Sequence, residues 1–182
     1  MKHDTLLIIA SSENSADLLY RTSFFAPDPI IFIENRGKKT IILSDLELDR
    51  GKEEADVDEG LSFSEYRKKL PSRKRKQAGF ADIVNIVFKE RGIKSALVPG
   101  DFPIKYADEL RELGYRIRCK EGLFFEERMK KTPEEVRLIS DSLRKTKKAM
   151  ELAINMISSS KIQDGKLFLN GSLLTSEMIK GE

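Results

Sequence analysis

The residue types that most often carry out catalysis are scarce in this sequence. Its only histidine, His3, precedes the first apolar run, and a nucleophilic triad needs an imidazole that is held in a fixed position. Its only cysteine, Cys119, stands between Arg118 and Lys120, and neighbouring cations can favour the reactive thiolate. We interpret His3 as incidental and Cys119 as a half-buried strand residue. A zinc site with several His or Cys ligands is therefore excluded.

Carboxylates are numerous but dispersed along the chain, as at Glu53-Glu54, Glu126-Glu127 and Glu134-Glu135. A hard cation needs several carboxylates to converge, and neither EF-hand nor P-loop spacing is present. We interpret these pairs as solvated helix ends and caps. The sequence therefore predicts no catalytic residue and no metal ligand of its own.

The strongest local charge feature is the basic run Lys68–Lys76. Such a run can bind phosphates, but no aromatic residues interleave with it for base stacking. The chain as a whole is nearly balanced, with 33 Lys and Arg against 30 Asp and Glu and a net charge of +3. We therefore expect a mobile, solvated connection between two helices, and nucleic acid is an unlikely partner.

The elements that must position any site follow an α/β pattern. Continuous apolar residues at 6–10 predict a central strand, and 30–33 and 40–43 flank a polar turn at 35–38, which predicts a hairpin. A short strand is expected around Val57, another at 96–98 and an edge strand at 115–118. Helices are expected between these strands, near 16–20, 44–54, 62–68, 80–91 and 104–113. The predicted fold class is α/β, a mixed β-sheet flanked by helices.

A long helix follows this pattern. Ser44, Ser62 and Thr132 are each followed by glutamate three positions on, which is the capping-box pattern, and Pro133 suits the first helical position. Apolar residues then recur at alternating steps of three and four. We expect the first part of this stripe, at Val136, to rest on the preceding domain and the last part, at Ile157, to face protein absent from this sequence. The members of the stripe are Val136, Ile139, Leu143, Thr146, Met150, Ala153 and Ile157.

The remaining sequence-wide features concern location and the C-terminal end. No signal peptide and no apolar run of about 20 residues is present, so the expected location is cytoplasmic, with no membrane partner. After the long helix, a helix start at Thr175 or Ser176 precedes the last residue by about one turn. We expect residues 161–182 to be the truncated start of a further domain.

Three stretches in order resemble one protein family. The segment Ser11–Phe24 resembles the "N-lxYlTGF" segment near the start of creatinase, prolidase and Xaa-Pro aminopeptidase chains. Residues 97–103 are similar to a turn later in the same N-terminal domain. Residues 128–136, R-M-K-K-T-P-E-E-V, resemble the family's junction into its "pita-bread" catalytic domain. The resemblance covers essentially the whole chain.

The resemblance implies a division of the chain into a creatinase/prolidase-type N-terminal domain at 1–128, a linker helix at 129–160 and the truncated start of the catalytic domain at 161–182. In the family that catalytic domain holds two divalent metal ions, manganese, cobalt or zinc, which activate water against the bond before proline. The family's metal ligands have no counterparts in this sequence. This chain alone is therefore expected to be inactive, with its own C-terminal catalytic domain as a partner.

The family also implies a homodimer and proline-containing peptides as substrates of the parent metallopeptidase. In related enzymes the N-terminal domain shapes the mouth of the active site, so the resemblance gives Tyr20, Thr22, Phe24 and Phe25 as substrate-access rim residues. Two positions depart from the family pattern: Ser23 replaces a glycine, and Arg21 places a charge where an apolar side chain is common.

Alternatives remain open at this point. Within the enzyme class, creatine hydrolysis and cleavage of dipeptides only are both compatible with the resemblance. In a different class, the chain could be a stand-alone, non-catalytic binding or scaffolding protein that reuses this fold.

Overall fold

A computed structural model describes residues 5–181 of the chain. The chain divides into two compact units, residues 1–128 and 129–182. His3 lies outside the described residues. The strands of the first unit, within residues 5–128, are β1 (Thr5–Ala10), β2 (Ile30–Asn35), β3 (Lys38–Leu43), β4 (Glu59–Ser62), β5 (Ser95–Val98) and β6 (Arg116–Cys119). Its helices are α1 (Ala16–Thr22), α2 (Asp45–Glu54), α3 (Phe63–Lys68), α4 (Ser72–Arg75), α5 (Phe80–Glu90) and α6 (Ile104–Glu112).

The six strands form one mixed sheet in the order β4-β3-β2-β1-β5-β6. Strand β2 is antiparallel to both of its neighbours, and the other pairs are parallel, so all strands except β2 end at the same edge. The predicted hairpin is β2–β3, with Arg36 and Gly37 at its turn, both with positive φ. This mixed sheet flanked by helices confirms the predicted fold class.

Each face of the sheet is covered by its own core. One face carries Leu7 and Ile31 and packs on apolar residues of α5 and α6, such as Val84 and Leu110. The other face carries Ile8 and packs on α1 and on two chain segments outside the helices. Strands β1, β2 and β3 are buried on both faces, which explains their continuous apolar runs. The second core comprises Ile8, Leu18, Phe24, Ala26, Ile30, Phe32, Ile41, Leu43, Phe124 and Phe125.

Three local predictions need correction. The fourth strand is not at Val57 but at Glu59–Ser62. The Asp58 N–H bonds to the Lys39 carbonyl oxygen at 3.0 Å, so the chain reaches strand β3 only after Val57. The basic run is not a plain connection: its middle forms helix α4, and Leu70 is buried in the core. Cys119 is exposed rather than half-buried.

The edge strand β4 is held by a cluster of charges around Glu59. This carboxylate pairs with Lys38 and with Arg91, at 2.9 Å each, and Arg91 also donates to the Thr40 hydroxyl at 2.8 Å. The hydrogen bond from Lys38 and then the charge of Arg91 hold the pKa of Glu59 below its usual value, against the opposing effect of burial.

These pairs predict a pH-dependent contribution to stability. A carboxyl whose pKa is lower in the folded state stabilises the fold above its unfolded pKa and loses that contribution as the pH falls through its folded pKa. We expect the free energy of unfolding to fall more steeply below about pH 5 in the natural chain than in Glu59→Gln. Urea unfolding at a series of pH values measures this, with the exposed Glu53→Gln as control. Equal slopes for all three proteins would contradict it.

The second unit consists of a long helix and a small sheet. Helix α7 (Pro133–Ser158) begins with the predicted capping box, in which the Glu135 N–H bonds to the Thr132 hydroxyl and the Glu135 carboxylate accepts from the Thr132 N–H. Strands β7 (Lys161–Gln163), β8 (Lys166–Leu169) and β9 (Ser172–Leu173) then form an antiparallel meander. Helix α8 (Ser176–Gly181) follows.

No side chain of helix α7 is buried. Val136 is 49% exposed and Leu143 63%, against 60% for Met150 and 48% for Ile157. The exposed fractions of the two halves of the stripe are therefore similar. Among the described residues, no helix is both long and apolar enough to cross a membrane.

Candidate functional site

The four predicted rim residues lie at and just after the end of helix α1. The helix is capped at its N-terminus by Ser15, whose hydroxyl accepts from the Leu18 N–H at 3.3 Å. It is capped at its C-terminus by Ser23, whose N–H bonds to the Leu19 carbonyl oxygen at 2.8 Å. Ser23 has φ 51° and ψ 18°, the left-handed conformation in which glycine is usual. The tight turn is therefore made although glycine is absent.

Because a non-glycine residue is strained in that conformation, Ser23 should be suboptimal for stability. Ser23 is exposed, so replacing it removes little packing. We expect Ser23→Gly to raise the free energy of unfolding by about 0.5–1 kcal/mol. Thermal and urea unfolding measure this, and Ser23→Ala is the matched control because it keeps the Cβ and the strain. If Ser23→Gly were no more stable than Ser23→Ala, the strain argument would be wrong.

Thr22 and Phe24 are completely buried. The Thr22 hydroxyl donates to the Leu18 carbonyl oxygen at 2.8 Å and accepts from the Phe24 N–H at 3.3 Å. The Phe24 ring lies in the core, with the Arg50 guanidinium 4.3 Å from its centroid. These two residues shape the end of the helix from inside, so neither offers surface to a ligand.

Tyr20 and Phe25 do reach the surface. Phe25 is 52% exposed, and Tyr20 is half-buried beneath the Arg128 guanidinium, which lies 6.0 Å from the ring centroid. Arg128 is fixed by an ion pair with Asp17 at 2.5 Å. Of the four predicted rim residues, only Tyr20 and Phe25 therefore have side-chain surface that is exposed.

Arg21 is the residue at this site whose role the sequence did not reveal. Its guanidinium forms two hydrogen bonds with the Glu34 carboxylate, at 2.5 and 2.7 Å, and lies 5.4 Å from the Phe125 ring centroid. Glu127 is a weaker partner at 3.9 Å. The hydrogen bond to Glu34 raises the pKa of Arg21 despite its partial burial. The positive charge of Arg21 is thus balanced by the Glu34 carboxylate.

A broad groove of about 1010 Å³ runs beside this ion pair. It lies where strands β1 and β5 begin, and Leu6 and Leu97 form part of its floor. Basic side chains such as Arg36 and Lys94 line its margin together with Glu126 and Glu127. Mixed charge around an apolar floor suits a contact with other protein surface. Among the described residues that line the groove, no nucleophile is paired with a base.

The described residues do not fit a metal site. Between residues 5 and 181, no group of three or more His, Cys, Asp or Glu side chains comes close enough together to hold a metal ion. Glu126 and Glu127, which the sequence places side by side, pair instead with Lys120 and Arg21, both at 3.9 Å. No metal-dependent step is therefore assigned to these residues.

The architecture of the chain is that of the N-terminal domain of prolidases and related peptidases. It is similar to an X-Pro aminopeptidase from Thermotoga maritima (15% identity, TM-score 0.69), an Xaa-Pro dipeptidase from Bacillus anthracis (16%, 0.68) and a prolidase from Pyrococcus horikoshii (19%, 0.59). Each match covers 87% of this chain but only 42%, 40% and 40% of the respective solved chains. At these identities the likeness establishes the fold alone. The sequence itself matches no family model and no curated protein.

Proposed function

We propose that this chain serves as the N-terminal part of an Xaa-Pro aminopeptidase- or prolidase-like metallopeptidase. Residues 1–128 would be the non-catalytic N-terminal domain, 129–160 the linker helix and 161–182 the start of the catalytic domain. The observation that carries the proposal is the fold match, which covers 87% of this chain and about two fifths of each solved peptidase. In that enzyme, this chain would take part in oligomer assembly and would shape the path by which substrate reaches the active site.

The exposed apolar stripe on helix α7 supports a catalytic domain as partner. Leu143 and Met150 are 63% and 60% exposed, and a stripe of this length is normally covered by other protein. A C-terminal domain would cover it and would hold the two divalent ions, manganese, cobalt or zinc.

The substrate-access role rests on the exposed aromatic surface at the end of α1. Tyr20 and Phe25 would line the mouth through which proline-containing peptides enter, and Thr22 and Phe24 would fix the turn that presents them. The partly buried Arg21–Glu34 pair would hold the same turn against strand β2. The parent protein would be a cytoplasmic homodimer, in which the groove beside Arg21 offers contact surface.

The first test is an activity assay of the 182-residue chain with an Ala-Pro dipeptide and an Ala-Pro-Ala tripeptide, each with manganese, cobalt or zinc. We expect no release of alanine under any condition. Release that requires metal and is abolished by a chelator would overturn the proposal that this chain is non-catalytic.

A second test addresses the partner and the assembly. The reading frame is expected to continue beyond residue 182 into Asp-, His- and Glu-bearing segments, and a stop codon at that point would overturn the proposal. Sedimentation velocity of the longer protein should give a dimer, whereas a monomer at all concentrations would remove the assembly role.

A further inference from the structure

Two crevices lie along one edge of the sheet in the first unit, on the side where β1, β3, β4 and β5 end and β2 begins. The first, of about 400 Å³, is lined by Leu46, Phe63, Arg67 and Phe80 among others. The second, of about 340 Å³, is lined by Asn14, Asp101, Phe102 and Tyr106 among others. Pro29 lines both crevices. We refer to the two together as the carboxyl-edge groove.

The second crevice lies at a switch point of the topology. Strands β1 and β5 are parallel neighbours, but the helices that follow them cover opposite faces: Leu18 of α1 packs in one core and Leu110 of α6 in the other. The two connecting loops therefore diverge and leave a crevice between them. In open α/β sheets this is the place where ligands bind.

A ladder of aromatic rings connects the two crevices. Phe63 and Phe80 lie edge to face with their centroids 5.5 Å apart, and Phe80 and Tyr106 repeat that arrangement at 5.5 Å. All three rings are only partly buried. Beside them, Leu46 is 95% exposed and Ile104 75% exposed. The groove thus combines pockets with apolar surface that nothing in the first unit covers.

Charge is placed unevenly along this groove. Arg67 lines the first crevice and Asp101 the second. Among residues 5–181 neither side chain forms a hydrogen bond or a close ion pair, although the charge of Arg67 helps to lower the pKa of the Asp45 carboxyl. Asp45, which also lines the first crevice, is already engaged by the Ser62 and Ser64 hydroxyls at 2.5 and 2.6 Å. A ligand that spans the groove therefore meets the Asp101 carboxylate in the second crevice and the Arg67 guanidinium in the first, where the Asp45 carboxylate keeps its charge but has both oxygens occupied by hydroxyl donors.

We propose that the carboxyl-edge groove binds a short, extended, apolar peptide segment whose free amino end lies at Asp101 and whose carboxylate end lies at Arg67. The strands meet the groove at their ends, so the peptide cannot join the sheet as an added strand. Aromatic-lined grooves instead take extended chains through their side chains. Adjacent ring centroids along the ladder are 5.5 Å apart, once between Phe63 and Phe80 and once between Phe80 and Tyr106. An extended peptide rises ~3.1 Å per residue, so about four residues span the three rings. This proposal is independent of the peptidase assignment.

The test is fluorescence anisotropy with two probes built on the pentapeptide Ala-Leu-Pro-Leu-Glu, labelled at the glutamate side chain. One probe has a free amino terminus and the other is acetylated. We expect saturable binding of both, with the free-amine probe bound more tightly. Leu46→Ser should weaken both probes about tenfold, because it removes exposed apolar surface from the groove. Leu138→Ser on helix α7, also an exposed leucine, is the matched control.

The role of Asp101, in the second crevice, is tested by a separate variant. Asp101→Asn should weaken the free-amine probe about fivefold and leave the acetylated probe unchanged. Asp49→Asn, an exposed aspartate outside both crevices, should change neither probe.

Three outcomes would overturn the proposal. The first is that neither probe binds. The second is that binding survives Leu46→Ser, or that Asp101→Asn affects both probes equally. The third is that sedimentation shows the chain dimerising through this surface, with the dimer lost in Leu46→Ser, because the groove would then accept a second copy rather than a peptide.

Discussion

Phe24→Ala should lower the free energy of unfolding of the first unit by about 3–5 kcal/mol. The Phe24 ring is completely buried between the sheet and the loop that leaves helix α1, so alanine leaves a cavity lined by large side chains. The Arg50 guanidinium, 4.3 Å from the ring centroid, loses its aromatic contact as well. Urea unfolding followed by tyrosine fluorescence measures this change. The chain has no tryptophan, and its four tyrosines all lie within residues 1–128, so the signal reports on the first unit.

Phe25→Ala is the matched control because the same substitution is made at the adjacent residue. Phe25 is 52% exposed, so we expect a loss of at most about 1 kcal/mol. Equal losses for the two variants would contradict the assignment of Phe24 to the core and Phe25 to the surface. In the longer enzyme of the proposed function, Phe25→Ala should instead raise KM for proline-containing peptides at unchanged stability.

The parts of the fold that the sequence predicted are those specified by local physics. Continuous apolar runs identified β1 and the β2–β3 hairpin because strands buried on both faces need apolar residues throughout. Capping boxes located helix starts at Ser62 and Thr132, where the hydroxyls accept from the Glu65 and Glu135 N–H groups. Ser44 shows the limit of that signal: helix α2 does begin after it, but its side chain makes no capping bond, and Glu47 pairs with Arg50 instead.

The candidate site was less predictable because it depends on contacts between distant parts of the chain. Nothing in the sequence distinguishes Phe24 from Phe25, since both lie in a loop without periodicity, and only the packed sheet decides which ring turns inward. Arg21 lies on α1 and Glu34 on β2, and the two side chains meet only in the folded unit. The Phe125 ring that contacts Arg21 belongs to a segment about a hundred residues later in the sequence. The aromatic ladder likewise joins α3, α5 and α6.

Loss of the ion pair between Arg21 and Glu34 is expected to have the second large effect on the free energy of unfolding. The guanidinium is 27% exposed and the Glu34 carboxylate 12%, and two hydrogen bonds join them. Removing one member of such a pair leaves the other charge partly desolvated without a partner. We expect Arg21→Met to lower the free energy of unfolding by about 2 kcal/mol, which is less than for a fully buried pair because solvent still reaches both groups.

The double variant Arg21→Met/Glu34→Leu distinguishes the contribution of the ion pair to stability from that of the other contacts of Arg21. Because an apolar pair of similar volume avoids the desolvation cost of both charges, the double variant should recover most of the stability lost in Arg21→Met. The apolar neighbours Leu6, which pairs with Glu34 across the strands, and Phe125 favour this recovery. If the double variant were less stable than Arg21→Met, the ion pair would not be the source of the loss. The contact of the Arg21 stem with Phe125 would then be the main contribution, and Arg21→Lys would be expected to preserve little of it.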